Sequence, residues 1–395
     1  AFHSACARAP RSRHGGLMTR TRPPDAVLLT VVALLTATGI VMVFSASSAV
    51  AYTQYHDATY YLKRELLWAA VGVCALVAGM RFDYTKLRAA APWIFALALV
   101  LLAAVLIPSI GSVEGGARRW LSLHGFSFEP SEFAKLALVL LLARLLSAQQ
   151  DGAASFTRVG FPALFWVGVC FALVMRQPDL GTASLYVLTA FVLLFAAGAR
   201  LTHLAIEAAV AIPALLGFIY ASPYRRDRFL AFLHPWKDPQ GTGYHIIQSL
   251  YALGSGGLFG LGLGQSRQKF GYLPAQHTDF IFSIIGEELG FIGAAAVLML
   301  FLVFAYRGVR IAMLADDRFG YYLAIGLTAS ITLQALINIG VVTSSWPVTG
   351  VPLPFISYGG TSLVMTLFGV GLLASISRGK GARRASEPVA RRKAS

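Results

Sequence analysis

The chain is poor in cysteine and in charged residues, and both shortages exclude whole classes of protein. Three cysteines, Cys6, Cys74 and Cys170, occur among 395 residues, and their spacing fits neither a disulfide framework nor a metal site. Charged residues make up 13% of the chain, hydrophobic residues make up 56%, and the mean hydropathy is +0.65. No soluble globular domain is expected to have this balance. Because the apolar residues fall into blocks near membrane-spanning length, the sequence predicts an all-α polytopic membrane protein.

Acidic residues are scarce as well, and the resulting positive charge needs an explanation. The chain has 18 Asp and Glu residues against 33 Lys and Arg residues, which gives a formal net charge of +15. Nucleic acid is one partner for such a chain, but most of the basic residues lie between or beyond the apolar blocks. Loop orientation and anionic lipid headgroups account for them more simply. We therefore expect contact with membrane lipids and no nucleic acid partner.

About ten apolar segments organise the chain into one membrane domain. They occupy residues 26–46, 66–80, 91–108, 132–148, 159–176, 182–199, 202–221, 280–306, 320–343 and 355–377. The first is long enough to cross a bilayer, so we expect no cleavable signal peptide, and we do not expect residues 1–17, before Met18, to be the native start. The sequence thus predicts a cytoplasmic N-terminal segment (1–25), a ten-helix membrane domain (26–378) and a basic cytoplasmic tail (379–395).

The distribution of Lys and Arg predicts that both termini are cytoplasmic. With the N-terminus inside, 21 of the 33 basic residues lie on the cytoplasmic side, and an even number of spans returns the C-terminus there. The other twelve fall mostly in two outer regions, 109–135 and the large loop 222–278 between the seventh and eighth spans. An anionic ligand on the outer face would explain this reversed bias. Solvated charge is the alternative for residues 225–228, and it is weaker for Arg118 and Arg119 in a short Gly-rich connection.

One carboxylate stands where the large outer loop runs into an apolar helix. Residues 273–282 read LPAQHTDFIF and contain Asp279. A carboxylate at the mouth of a membrane segment is costly unless something requires it, which makes Asp279 a candidate functional residue. The alternative is that Asp279 only caps the helix, since exposed N–H groups and the helix dipole favour Asp there. Glu287 and Glu288 follow in the same helix, and we expect at least one of them to pair internally or to line a cavity.

Two basic motifs lie on the outer side before and within the fourth span. Arg118 and Arg119 stand beside glycines in residues 115–120, GGARRW. Guanidinium groups and backbone N–H groups there could approach a diphosphate together. The motif EPSEFAK at residues 129–135 opens the next helix, and Lys135 lies near Glu132 by helical spacing. A structural salt bridge or a snorkelling lysine is the alternative for that pair.

Further polar motifs occupy the other outer connections. Residues 176–182, RQPDLGT, form a tight turn in which Gln177 and Asp179 are by themselves more structural than catalytic. The glycines of residues 254–266 lack a Walker ending and a strand–helix context, so we reject nucleotide binding and expect a re-entrant or interfacial segment. Asn338 and the proline-rich residues 347–362 complete a rigid outer hairpin.

The ordered set of these motifs resembles the SEDS family, whose members include FtsW, RodA and SpoVE. The residues that carry the resemblance are GARRW, EPSExAK, QPDLGT, GxGxSxQK, LPxxHTDFIF, EELG and PxTGxPLPFISYGG, in this order. The match covers essentially all of residues 25–378. Residues 45–48 at the end of the first span, with Lys63 and Arg64 opening the second, resemble FtsW or SpoVE more than RodA.

The resemblance implies a peptidoglycan glycosyltransferase that polymerises lipid II at the outer face of the cytoplasmic membrane during cell division. Asp279 then matches the family's essential aspartate. Arg118, Arg119 and Lys135 match the family's basic residues that line the outer cavity. The further candidate substrate-binding residues are Glu132, Gln177, Asp179, Gln248, Ser249, Lys269, His277, Thr278, Ser357 and Tyr358. Implied partners are a class B penicillin-binding protein and other divisome proteins, and a divalent cation, Mg²⁺ or Mn²⁺, could assist.

This sequence departs from the family's usual pattern at three positions. The family usually has Asn where Gly115 stands, Gln where Glu129 stands, and often Gln where His245 stands. Glu129 adds negative charge beside the expected anion site, which puts the role of that position in doubt. The departures leave Asp279 untouched.

On this interpretation Asp279 accepts the proton of an acceptor sugar 4-hydroxyl, which displaces a lipid pyrophosphate with inversion. A positioned base typically contributes about 10²–10⁴-fold. Burial would raise the pKa of Asp279 and the helix N-terminus would lower it, so the sequence leaves that pKa open. A lipid II flippase and a scaffold that recruits cell-wall enzymes are the rival hypotheses, and a RodA-type or SpoVE-type role in elongation or sporulation is a further alternative.

Overall fold

The computed structural model describes residues 23–114, 117–123, 126–148, 160–199, 216–220 and 223–379, together with residues 205, 209 and 213. The protein is mostly helical. Its described helices are α1 (Ala26–Tyr55), α2 (Tyr60–Arg81), α3 (Tyr84–Val105), α4 (Pro130–Ser147), α5 (Phe161–Met175), α6 (Leu180–Ala196), α7 (Pro223–Leu233), α8 (Tyr244–Gly256), α9 (Ile281–Met313), α10 (Arg318–Val342) and α11 (Gly360–Ser377). Short 3₁₀ turns occupy Pro235–Lys237 and Gln268–Phe270.

The predicted apolar segments other than 202–221 each overlap a helix, although residues 106–108 and 355–359 are not helical and α3 begins at Tyr84 rather than at residue 91. Five helices, α1, α3, α9, α10 and α11, are long and apolar enough to cross a membrane. Helices α5 and α6 are apolar but shorter. The predicted span at 202–221 lies largely outside the described residues, as do most of the N-terminal segment and of the basic tail.

The prediction of an all-α fold misses a small sheet before α4. Strands β1 (Gly111–Glu114), β2 (Ala117–Leu123) and β3 (Phe126–Phe128) pair antiparallel in the order β1-β2-β3. The strands are too short for a clear alternation of polar and apolar residues, so the Gly-rich sequence indicated only a connection. The register between β1 and β2 is irregular opposite Arg119, since Ser112 pairs with Trp120 and Val113 pairs with Arg118.

The helix ends meet on two faces of the bundle. On the first, the N-terminal face, Asp25 caps α1 and forms an ion pair with Arg307 of α9, and its backbone N–H donates to the Ser377 hydroxyl of α11 at 3.1 Å. On the second, the loop face, lie the turn between α5 and α6 and the loop that leads into α9. Asp279 and Arg307 thus stand towards opposite ends of α9, and the beginning of α1 shares a face with the end of α11.

Helices α2 and α11 approach closely through glycine. A Cβ atom added to Gly79 would lie 2.7 Å from the Phe368 carbonyl oxygen, and one added to Gly371 would lie 2.3 Å from that of Leu76. Small residues permit such backbone contact between membrane helices, where van der Waals packing is a main source of association. This contact fixes the end of α11 next to α2.

Helix α9 is interrupted at Gly290, which has φ 68° and ψ −169°. This backbone conformation is essentially restricted to glycine. The backbone groups that the break frees are paired with residues 257–262. Leu261 and Gly262 donate to the carbonyls of Glu287 and Glu288, and Phe291 and Ile292 donate to the carbonyls of Gly257 and Leu258. The Gly-rich segment therefore replaces part of the helix's own hydrogen bonding, as irregular backbone at membrane depth requires.

The two carboxylates beside this break are satisfied inside the protein, which confirms the expected internal pairing. Glu287 accepts hydrogen bonds from the Ser266 hydroxyl and from the backbone of Arg267. Glu288 accepts from the Ser45 hydroxyl at 2.7 Å and lies 3.6 Å from the Lys269 ammonium. These contacts join α1, the outer loop and the first part of α9.

We expect Gly290→Ala to destabilise the protein by at least about 2 kcal/mol. The new Cβ would lie 2.3 Å from the Gly260 nitrogen in a backbone conformation that alanine avoids. Gly254→Ala is the matched control, because its Cβ would have no atom within 4 Å. Thermal unfolding of both purified variants in detergent measures the difference, and equal Tm values would contradict this account of the break.

Candidate active site

Asp279 lies at the start of α9 but does not cap it. The N-cap of α9 is Phe280, and no side chain caps that helix end. By contrast, Asp25, Asp83 and Asp179 each accept a capping hydrogen bond from the first turn of their own helices. Among the described residues, the Asp279 carboxylate has no hydrogen-bond or ion-pair partner. The capping alternative is therefore not supported, and the carboxylate remains available to a ligand.

The backbone around Asp279 is held by a side chain of α10. The Asn338 amide donates to the carbonyl oxygens of Asp279 at 2.7 Å and of Val351 at 2.8 Å. It thereby joins the end of the outer loop to the proline-rich hairpin. Gly350, with φ 71°, turns that hairpin beside the carboxylate, since an added Cβ would lie 3.4 Å from Asp279 Oδ2.

Two further contacts fasten the proline-rich hairpin to the loop that carries Asp279. The Ser357 hydroxyl donates to the Thr278 carbonyl at 2.6 Å, and the Tyr358 N–H donates to the His277 carbonyl at 3.0 Å. The structure thus brings His277, Thr278, Ser357 and Tyr358 together next to Asp279. The Ser357 hydroxyl and the Thr278 carbonyl are engaged with each other, so these two groups position the loop.

Arg119 is fixed on the turn between α5 and α6. Its guanidinium donates to the carbonyls of Gln177 at 3.1 Å and Pro178 at 2.6 Å, and lies 3.6 Å from the Asp179 carboxylate. Asp179 in turn accepts from the Thr182 N–H and caps α6. Arg119 is therefore a positive charge held in a fixed position. Its charge lowers the pKa of Asp279.

Removal from water raises the pKa of Asp279 to about 6, because desolvation and the Asp179 carboxylate outweigh the opposing charges of Arg119 and Arg228. A carboxylate titrating there is still largely ionised at neutral pH and is a better base than an ordinary aspartate. Its position, at the end of a loop and beside the start of a helix, leaves it partly exposed. The geometry and this pKa suit proton abstraction from a bound hydroxyl group.

Lys135 and Glu132 form a buried pair behind the proline-rich hairpin. The Lys135 ammonium donates to Glu132 at 2.7 Å and to the Gln334 amide oxygen at 2.5 Å, while the Gln334 amide nitrogen donates to the Pro352 carbonyl at 2.9 Å. Lys135 is 8% exposed. These contacts agree with a structural salt bridge between Lys135 and Glu132. Through Gln334 they also support the proline-rich hairpin that contacts Asp279.

The structure separates several other residues from this group. Arg118 reaches the Leu106 carbonyl at the end of α3, whereas Arg119 is held at the turn between α5 and α6, so the two guanidinium groups contact different elements. Their joint approach to one diphosphate stays a prediction. Lys269 is 5% exposed and is engaged with Glu288 and the Gly264 carbonyl. Ser249 is fully buried between Ser283 and the Val342 carbonyl, and Gln248 is half-buried in α8. Lys269 and Ser249 are therefore structural in this arrangement.

Glu129 stands where the family usually has Gln, and it adds less negative charge to the site than the sequence alone suggests. Removal from water and the carboxylates of Glu132 and Asp179 raise the pKa of Glu129 to about 8, while the Ser131 hydroxyl donates to it at 2.8 Å. A carboxyl group with this pKa is largely protonated at neutral pH. It therefore adds little negative charge beside Arg119.

Three residues that organise this site were not among the predicted site residues. Gln334 and Gly350 act through contacts 199 and 71 residues away along the chain, with Lys135 and Asp279 respectively. Gln276 is 3% exposed, and its amide donates to the carbonyls of Ala46 and Lys269. Gln276 and Gly350 lie inside motifs quoted above, at residues 273–282 and 347–362. The only signal for Gln334 was its place in an apolar segment, where a side-chain amide needs an internal partner.

Known proteins resemble this chain over nearly its whole length. The family described as Cell cycle protein, which comprises FtsW, RodA and SpoVE, matches residues 25–381. Stage V sporulation protein E of Bacillus subtilis is 46% identical over 362 residues, which cover 92% of this chain and 99% of that protein. A probable peptidoglycan glycosyltransferase FtsW of Trichlorobacter lovleyi is 45% identical over 355 residues, which cover 90% and 93% of the two proteins.

A solved structure agrees with these relatives. One chain of a peptidoglycan synthase complex that coordinates polymerization and crosslinking has a TM-score of 0.74 and 30% identity, covering 92% of this chain and 99% of that chain. The chain therefore belongs to the family of cell cycle proteins that comprises FtsW, RodA and SpoVE, and with its long apolar helices it is a multi-pass protein of the cytoplasmic membrane.

Proposed function

We propose that this protein is a peptidoglycan glycosyltransferase that polymerises lipid II into glycan strands, with Asp279 as general base. The observation that carries the proposal is the Asp279 carboxylate, which neither caps α9 nor forms an ion pair among the described residues. Relatives named FtsW support the reaction class. We assign the protein to cell division on the same basis, and the similarity to a sporulation protein keeps a SpoVE-type role as the alternative.

The proposed orientation places the loop face outside the cell. We propose ten spans with both termini in the cytoplasm. The shared face of Asp25, Arg307 and Ser377 supports this orientation, because it brings the beginning of α1 and the end of α11 together. The basic residues of the N-terminal segment and the tail follow the positive-inside rule. Asp279 then opens to the outer face, where lipid II is polymerised.

In the proposed reaction the acceptor 4-hydroxyl attacks the anomeric carbon of the donor sugar. The new glycosidic bond forms as the bond from that carbon to the diphosphate oxygen breaks, and the electron pair leaves with the lipid diphosphate. Asp279 accepts the hydroxyl proton. Arg119, held by the α5–α6 turn, supplies a fixed positive charge near the reaction and needs no rearrangement to stabilise developing negative charge.

A divalent cation would add to the positive charge at the diphosphate. Within the part of the chain that the structure describes, no group of three or more His, Cys, Asp or Glu side chains is arranged to hold a metal ion. Assistance by Mg²⁺ or Mn²⁺ stays a proposal, in which the cation is bound with the substrate diphosphate.

We further propose that the protein works with a crosslinking partner. The similar chain in the peptidoglycan synthase complex supports this proposal, since that complex couples polymerization to crosslinking. A class B penicillin-binding protein is the partner that the family resemblance implies, together with other divisome proteins. Activity should therefore be measured with and without such a transpeptidase.

A lipid II flippase is the second candidate, and the interrupted helix α9 favours it. Transporters commonly place discontinuous helices at their substrate sites. Here, however, the backbone groups freed at Gly290 are paired with residues 257–262, and Glu287 and Glu288 are paired with side chains of this protein. These groups are not presented to a ligand, so the polymerase is the better supported function.

Asp279→Asn is expected to abolish polymerisation, lowering the rate by about 10²–10⁴-fold. Folding and lipid II binding should survive, because the carboxylate has no described structural partner. The assay is purified protein with lipid II and separation of glycan chains on a gel. Asp238→Asn, an exposed residue of the same outer loop, is the control and should retain activity. Normal chains from Asp279→Asn would exclude the general-base role, and lipid II transfer between vesicle leaflets without polymer would favour the flippase.

The pH profile of polymerisation should report the ionisation of Asp279. The base acts in its deprotonated form, so the rate should fall as the pH drops through about 6 and reach a plateau above that value. The measurement is kcat/KM between pH 4.5 and 8.5. An acid limb centred near the ordinary aspartate pKa, about 4, would contradict the proposed environment of Asp279.

Arg119 and its neighbour Arg118 provide a matched test of the charges that set the pKa of Asp279. Arg119 lowers the pKa of Asp279 by its charge, so Arg119→Gln should move the acid limb to higher pH. Arg118→Gln should leave the limb in place, because Arg118 points to the end of α3. Thermal unfolding of both variants checks that each is folded. Identical profiles for the two variants would show that Arg119 does not act on Asp279.

A further inference from the structure

A cluster of aromatic rings adjoins the loop that carries Asp279. We define the tyrosine cluster as Tyr55, Tyr60, Tyr61, His277 and Tyr358. Tyr55 and Tyr60 are stacked with their centroids 3.9 Å apart, and Tyr61 meets Tyr60 edge-on at 5.3 Å. Tyr61 also lies 4.6 Å from the His277 ring and 5.1 Å from the Tyr358 ring. The rings thus form a continuous surface from the α1–α2 connection to the loop face.

The tyrosine cluster is joined to the candidate active site by the chain itself. His277 is two residues before Asp279, and its carbonyl accepts the Tyr358 N–H at 3.0 Å. Tyr55 is 46% exposed, and the other four residues are half-buried. A ligand that lies on these rings would therefore extend towards the Asp279 carboxylate.

The rim of the tyrosine cluster carries polar groups around an uncharged centre. The Arg64 guanidinium lies 4.9 Å above the Tyr60 ring, and its charge acts on the Tyr358 hydroxyl, whose pKa it lowers against the effect of burial. The Lys63 ammonium and the Asp57 carboxylate form an exposed pair at 2.8 Å beside it. Burial lowers the pKa of His277 to about 4, so this ring is neutral at physiological pH.

These features match the surface of a pyranose ring. The C–H face of such a sugar is apolar and packs on aromatic rings, while its hydroxyl and acetamido groups lie at the edge and need hydrogen-bond partners. Binding sites commonly combine an apolar lining with a few polar groups in this way. An aromatic belt at the membrane interface explains an isolated exposed residue such as Tyr52, which is 64% exposed. It does not explain why Tyr61 is enclosed by His277 and Tyr358 of the loops around Asp279.

We propose that the tyrosine cluster binds sugar rings of the glycan strand next to Asp279. The proposal rests on the glycosyltransferase function proposed above and adds to it the location of the strand. The ligand class is a β-linked amino-sugar oligosaccharide, bound by stacking on the rings and by hydrogen bonds at the rim.

Saturation-transfer NMR on the full-length protein in detergent tests the proposal without requiring catalysis. The probe is chitotetraose, a linear tetramer of β-1,4-linked N-acetylglucosamine. We expect saturation of its ring C–H protons by the wild-type protein, and Tyr55→Leu and Tyr61→Leu should each weaken binding about two- to tenfold, as expected for the loss of one aromatic contact. Tyr52→Leu is the matched control and should bind like the wild type.

The outcomes separate this proposal from the proposed function. Because Tyr55 is exposed, we expect Tyr55→Leu to fold. This variant therefore tests the tyrosine cluster even if Tyr61→Leu fails to fold. Absence of binding to the wild type, or equal binding by Tyr55→Leu and Tyr52→Leu, would overturn the role of the cluster while leaving polymerisation by Asp279 intact. Tyrosine-dependent binding by a protein that forms no polymer, with or without a transpeptidase, would support the cluster and overturn the glycosyltransferase. Asp279→Asn should retain oligosaccharide binding.

Discussion

The amide of Asn338 is the contact on which the geometry of the candidate site depends. It donates to two backbone carbonyls that belong to separate loops, those of Asp279 and Val351. Neither carbonyl belongs to the ladder of a helix, and a buried carbonyl without a partner is costly. One side chain therefore supplies a hydrogen-bond donor to a carbonyl of each loop and holds the two loops together. The turn at Gly350 and the contact between Ser357 and Thr278 join the same two loops.

The sequence was most informative where one physical requirement dominates. Long apolar runs must form helices in a membrane, because their backbone groups find no water there. The helices that the structure describes accordingly begin and end close to the predicted segments, although α1 continues to Tyr55 and α9 to Met313. Asp279 could also be singled out, since an acidic residue next to such a run needs a reason.

The sequence was least informative where distant residues decide the outcome. Arg118 and Arg119 are neighbours in the chain, but their guanidinium groups contact different elements, the end of α3 and the α5–α6 turn. The strand that carries them depends on pairing with β1 and β3. Lys269 was a candidate for substrate binding, but in the structure its ammonium lies 3.6 Å from Glu288 of α9. Lys135 likewise depends on Gln334, which is 199 residues away. Side-chain partners of this kind cannot be inferred from local spacing.

The interruption at Gly290 has a mechanical consequence. The first part of α9, which begins beside Asp279, is not a rigid extension of the remainder of the helix, because the regular hydrogen bonding stops between them. Four backbone hydrogen bonds attach this boundary to residues 257–262 instead. That loop therefore contacts the short helical piece beside Asp279, while the longer piece is anchored by the ion pair of Arg307 with Asp25 on the far face. The helical piece that follows Asp279 and the piece that carries Arg307 thus belong to one helix without continuous hydrogen bonding between them.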